Sequence, residues 1–510
     1  MPRNVLRFLG KIINFYYICQ SKQYSIHILM NKIDLLSIPF CVILLFACNN
    51  EDLSPEILGS SIESNHKRQE LYIPYADSVE LKELAQNKKV LDFELARKIT
   101  LLEMNETGFV QDMAWNGYHL APNPVVIYNL ESWPKFYDFI AFDSENNAIG
   151  TIRVNANRKN SSVINGVYSS VFDYNEFLTK SNASNPSIFM DWKGEQFVGV
   201  RSKAGKAPKQ IISVDNGTPV LMENMRELEG EEIIQHMETH ILPTLIPDQR
   251  AFEKVPDYVV ADEELNKEIE YGKNMTVEAL KDSMEVSLAR TEEEAKAYWN
   301  TLSAYEQELL ETSDEELNNE GKFFGRLFRR IFSRTDKSLK WIDKYDDRKH
   351  SYRRGGACGP WVCGYILYVN QGKDKYDFFY NNASSFGEFG ILNFALRLFG
   401  RPMTPGEMGW TMPIASNGKI WINPALCFAD LFAYDQIKHY KKPAIRLCGS
   451  GGQLHWTLAY GAKQTGSWFW RNYYFLQIDN GAKVGVPGDK KNGGNYTKVD
   501  WWNPWLMVWD

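Results

Sequence analysis

One stretch constrains the fold of this 510-residue chain more than any other: Gly355-Gly356-Ala357-Cys358-Gly359-Pro360-Trp361-Val362-Cys363-Gly364-Tyr365-Ile366. Pro360 has no N–H and a fixed φ, so an apolar helical run tolerates it only in the first turn. Two glycines before it give a flexible approach, and the apolar residues after it give a helix with a body to bury. Cys358 therefore sits where a loop becomes a helix. Unpaired N–H groups and the positive dipole end at such a site favour thiolate over thiol. The same groups suit an oxyanion. Taken alone, these residues equally describe a buried cysteine beside a helix start. The rest of the chain must supply the partners that a nucleophile needs.

The N-terminus reads as an export signal over residues 1–47. Met30-Asn31-Lys32 opens a short polar region, and Leu35 to Ala47 is an apolar run of 13 residues. A membrane span needs about 20. Met30 is a candidate for the true start, since residues 1–29 have no role in such a signal. The run ends in Leu45-Phe46-Ala47-Cys48, then Asn49-Asn50-Glu51-Asp52. Five bases and one acid leave with residues 1–47, which moves the net charge from −7 to −11. An acidic chain argues against nucleic acid as a partner. The remaining cysteines are Cys48, Cys358, Cys363, Cys427 and Cys448, too few for a disulfide scaffold. Cys427 and Cys448 are a candidate bridge, whereas Cys358 and Cys363 on one helix are too far apart for one.

Patterning divides the chain into a polar tether over 48–75, an α+β segment over 76–220, a mainly helical connector over 221–339 and a C-terminal domain over 340–510. In the second segment Asp92 caps a helix with Leu95, Ile99 and Leu102 on one face. Strands are expected at Val125–Tyr128, Tyr137–Phe142, Ala148–Val154, Ser187–Met190, Glu195–Val200 and Gln210–Val214. His236 and His240 lie four apart on a helix but lack a third ligand, so no metal is expected, and no motif calls for a cofactor. Asp262 to Glu320 holds 18 acids against five bases, with capping boxes read at Thr291, Ser303 and Ser313. Lys322 to Arg354 reverses the sign, with 12 bases against four acids, and reads as an amphipathic helix or a protease-accessible junction. After the Cys358 helix come loops rich in Asn, Gly and Pro, then expected helices at Phe389–Phe399 and Ala425–Tyr440.

The second informative stretch runs from Gly449 to Gly461. Alternation puts Leu454, Trp456, Leu458 and Tyr460 on one face of a strand, and His455, Thr457 and Ala459 on the other. A turn around Lys463–Ser467 and a returning strand Trp468 to Ile478 lead into Asp479-Asn480-Gly481. A hairpin centred near Ser467 sets Asp479 opposite His455, where a carboxylate fixes the histidine's tautomer and orientation.

Cysteine at a helix start, then histidine on a strand, then Asp or Asn ending the next strand resembles the order in papain-like cysteine peptidases. Ala357-Cys358-Gly359-Pro360 resembles the nucleophile motif of the bacteriocin-processing (double-glycine) peptidases. Gly451-Gly452-Gln453-Leu454-His455-Trp456 is similar to their histidine strand and to that of the streptopain family. Leu45-Phe46-Ala47-Cys48 resembles the bacterial lipoprotein processing site, which implies a lipidated Cys48 and a place in the cell envelope, at the outer membrane or cell surface. The resemblance implies an α+β fold with the nucleophile helix on an antiparallel sheet, and a Cys358, His455 and Asp479 triad with Asn480 as the alternative third residue. It implies a peptide or protein substrate, and the segment before the enzyme is similar to an inhibitory prodomain. One feature departs: these families place a glutamine just before the cysteine for the oxyanion hole, and the nearest upstream glutamine here is Gln307. Ser351 or Tyr352 stands near that position instead. The alternatives are an amidase or acyltransferase on cell-wall peptides, and an inactive surface-binding lipoprotein displaying Trp501, Trp502, Trp505 and Trp509.

Overall fold

Local chemistry starts the first long helix where the pattern places it. The Asp92 carboxylate accepts from the N–H groups of Glu94 and Leu95, and the helix Phe93–Glu106 buries Leu95, Ile99 and Leu102. The structure, a computed structural model, describes residues 72–214, 217–220, 222, 225–261, 263–318, 331–337, 339–345, 358–372, 403–450, 453–467, 469–478 and 495–510. Cys48, Ser351, Tyr352, Asp479 and Asn480 lie outside these, as do the export signal, most of the charged junction Lys322 to Arg354 and the helix expected at Phe389–Phe399.

The fold is α+β. Among the described residues sixteen strands join in one sheet. From one edge the order is Trp421–Ile422, Trp505–Trp509, Ala444–Ser450, Gln453–Gly466, Arg471–Ile478 and Tyr496–Lys498. There it crosses to the earlier part of the sequence, continuing through Ile164–Tyr168, Ala148–Asn155, Pro134–Phe142, Val125–Tyr128, Ser187–Met190, Gln196–Gly199, Ile211–Ser213 and Pro219–Val220. The crossing is the antiparallel pairing of Tyr496 with Val167 and Thr497 with Gly166. The pairing of Val125–Tyr128 with Ser187–Met190 is parallel, and the others are antiparallel. Between residues 231 and 318 the described elements are all helical, the longest being Val277–Leu302. Residues 71–510 form one compact unit.

A buried ion pair braces the early strands. Arg153 donates to both carboxylate oxygens of Asp138 at 2.8 Å, and its guanidinium lies over the rings of Phe136, Tyr168 and Phe172. Such bidentate geometry offsets the desolvation of both charges.

Several sequence expectations are corrected. Pro405–Ser416 is a further helix that the sequence patterning does not pick out, begun by a capping box of Thr404 and Glu407 with Pro405 in the first turn. The helix expected from Ala425 begins only at Asp430, because Cys427 is bridged to Trp505 as extended chain. Thr291 lies inside Val277–Leu302, its hydroxyl turned back to the Ser287 carbonyl, and Ser303 bonds the Asn300 carbonyl. Of the three expected capping boxes, only Ser313 with Glu316 closes in both directions. Cys427 and Cys448 form no disulfide.

Candidate functional site

Cys358 is the first residue of the helix Cys358–Gln371, which lies against the strand Gln453–Gly466. Gly359, Pro360, Trp361 and Val362 are buried at once, so the helix start is fixed by packing as well as by proline. A Cβ on Gly359 would lie 2.4 Å from the Met403 Cβ, which is why the position after the cysteine has no side chain. The Trp456 indole N–H donates to the Met403 carbonyl at 2.7 Å. Met403 is thus held between the helix start and the histidine strand.

The two candidate residues meet. The Cys358 sulfur is hydrogen-bonded to the His455 side chain and takes backbone hydrogen bonds at Trp456 and Gly359. Burial pushes the thiol up, but the His455 hydrogen bond and charge, with those backbone groups, outweigh it and hold Cys358 below the usual thiol range. For Cys363 and Cys427 burial outweighs their backbone hydrogen bonds and pushes both up, Cys427 to about 12. Of these three thiols only Cys358 is tuned toward a nucleophile.

His455 is half-buried on a strand whose next five residues are buried. Its register partner is Cys448, whose sulfur donates to the His455 carbonyl at 3.3 Å. Opposed residues share a sheet face. The His455 face therefore carries Arg446, opposite Thr457, and Gln477, opposite Ala459. They are joined: Gln477 Oε1 accepts from Thr457 Oγ1 at 2.7 Å and from Arg446 Nη1 at 3.3 Å. The small side chains of that strand leave room that Arg446 and Gln477 fill from its neighbours. Alternation on the two flanking strands carries this signal, but it cannot be read until the pairing is known.

The described part of the hairpin is not centred on Ser467, and Asp479 itself lies outside the described residues. The strand runs on to Gly466, which pairs with Arg471, and the turn is closed by Ser467 N–H on the Trp470 carbonyl. An irregularity between Ala459 and Gly461 shifts the ladder again, so the last described pair is Leu458 with Ile478. The turn sits later than Ser467, and the register is displaced by two residues from one that pairs His455 with residue 479.

Gln307 is exposed on another helix, bonded to Glu311. Trp502, Trp505 and Trp509 are buried, so they form core rather than a surface platform. Among the described residues no group of His, Cys, Asp or Glu is arranged to hold a metal ion, and no helix is long and apolar enough to cross a membrane. No family model matches this chain, and no curated protein or solved structure matches it.

Proposed function

We propose that this protein is an exported, lipid-anchored cysteine peptidase with a papain-like C-terminal domain over residues 340–510. The observation that carries the reading is the Cys358–His455 hydrogen bond at a helix start, with the thiol held low in spite of burial. In this mechanism the Cys358 thiolate attacks a peptide carbonyl, and the imidazolium of His455 gives its proton to the leaving amine. Water, deprotonated by His455, then releases the acyl group. The N–H groups at the helix start stabilise the oxyanion, and Asp479 serves to orient His455. Residues 49 to about 340 act as accessory or inhibitory segment, and Cys48 carries the lipid.

The same site chemistry serves an amidase or acyltransferase on cell-wall peptides, because all three reactions pass through a thioester. The inactive-lipoprotein reading loses support from the terminal tryptophans, since three of the four are buried. The test is hydrolysis of a peptide library and of wall fragments by the full chain and by Cys358→Ala. The proposal expects loss of peptide hydrolysis by at least about a thousandfold in the variant. Unchanged hydrolysis by Cys358→Ala sinks it, and cleavage confined to wall fragments favours the amidase.

A further inference from the structure

A prodomain that leaves after cleavage must part from its enzyme along a separable face, with a closed fold and a core on each side. The chain before the Cys358 domain has no such face. One sheet passes from Tyr496–Lys498 to Ile164–Tyr168, pairing Tyr496 with Val167 and Thr497 with Gly166. One hydrophobic core likewise draws on residues from Leu81 to Trp509. Within it Phe109 lies edge-on to Tyr474 and Tyr496, with ring centroids 5.0 and 5.1 Å apart.

Buried hydrogen bonds cross the same boundary. Asn472 Oδ1 accepts from Ser161 Oγ at 2.8 Å, and Asn472 Nδ2 donates to the Ser161 carbonyl at 3.0 Å. The Tyr474 hydroxyl lies 2.7 Å from Ser162 Oγ and donates to the Ile164 carbonyl at 3.1 Å. The Ser169 N–H donates to Asn495 Oδ1 at 3.1 Å. Lys463, fully buried on the strand that carries His455, donates to Asp112 Oδ2 at 2.5 Å and lies over the Phe109 ring. The helix Val277–Leu302 joins both sides. Its Tyr298 hydroxyl donates to Glu103 at 2.6 Å while the ring stands edge-on to Trp470, and its Ser287 hydroxyl donates to the Trp501 carbonyl at 3.1 Å.

We infer that residues 72–318 are a permanent partner of the C-terminal strands, so that cutting the chain between Asn318 and Ile331 yields two pieces that stay together. Release would strip the edge of Tyr496–Lys498 and open Phe109, Tyr474 and Tyr496 to water, and both changes oppose it. Resting on the peptidase reading, the inference makes the working enzyme either an uncut chain or a two-chain complex. In each form the His455 strand keeps Asp112 as the partner of Lys463.

The test places the recognition sequence of a site-specific protease between residues 318 and 331 of the full chain and cuts it. Both pieces should elute as one peak in gel filtration at about 1 μM, where a pair that binds more weakly than micromolar comes apart. Cutting couples unfolding to dissociation, so the denaturant midpoint should rise with protein concentration, as it does not in the uncut chain. Iodoacetamide labelling of Cys358 should keep its rate within about twofold, because the His455 strand stays seated. An N-terminal piece that elutes alone in native buffer overturns the inference, as does a midpoint of the cut chain that ignores concentration. If the inserted sequence resists cleavage, hydrogen exchange of the uncut chain decides. Residues 161–168 and 471–478 should then agree in protection within about tenfold, and early loss of protection in 161–168 alone overturns the inference. These readouts involve no peptide hydrolysis, so a failure of the peptidase reading shows separately, in the comparison with Cys358→Ala.

Discussion

Four cysteines are described, none in a disulfide, and their surroundings, not their residue type, separate them. Cys363 is fully buried five residues along the helix from Cys358 and is raised, while Cys358 at the helix start is lowered by His455 and two backbone groups. Iodoacetamide labelling of the full chain, read by mass spectrometry at Cys358, should follow a pH profile with its midpoint below the ~8.5 of a free thiol. His455→Ala should move that midpoint upward. A Cys358 profile like that of a free thiol, unmoved by His455→Ala, would contradict the geometry.

At the scale of elements, one short pattern meets two fates. Ser313 with Glu316 begins a helix that is also tied to Phe93–Glu106 through Asp314, which bonds Lys98 at 2.7 Å and Arg97. Thr291 with Glu294 lies mid-helix, where the Thr291 hydroxyl bonds the preceding turn. Ser313→Ala should cost about 1 kcal/mol by denaturant unfolding, the usual worth of an N-cap. Thr291→Ala should stay within about 0.5 kcal/mol, because no cap is lost and alanine favours the helix interior. Equal losses at the two sites would mean that the caps are misassigned.

For the molecule as a whole, the sheet runs through both ends of the described sequence, and its crossing point is buried. Asp112 pairs there with Lys463, which is fully buried and also bonds the Lys337 carbonyl at 2.9 Å. Phe109 packs edge-on against Tyr474 and Tyr496. Segments joined in this way should unfold together. Alkylation of Cys363 and loss of exchange protection in residues 93–106 should therefore share one denaturant midpoint. Clearly separate midpoints would show two independently stable halves.

Much of the local structure is legible in the sequence. Asp92, the strands Val125–Tyr128 and Ser187–Met190, and the start of the Cys358 helix follow from capping, alternation and proline geometry, which act within a few residues. Cys358 and His455 are also legible as candidates, since each is marked by its own neighbours. Their hydrogen bond is not, nor are Arg446 and Gln477 on the histidine face, because those depend on which strands pair and in what register. A turn placed later and a ladder shift near Tyr460 move the partner of the histidine strand by two residues. The lack of a Cys427–Cys448 disulfide, and one sheet shared by distant segments, are likewise tertiary outcomes. The sequence alone determined the elements and the candidate nucleophile and base. Only the tertiary structure decided their partners, because pairing is selected by burial across the whole core and not by any single stretch of chain.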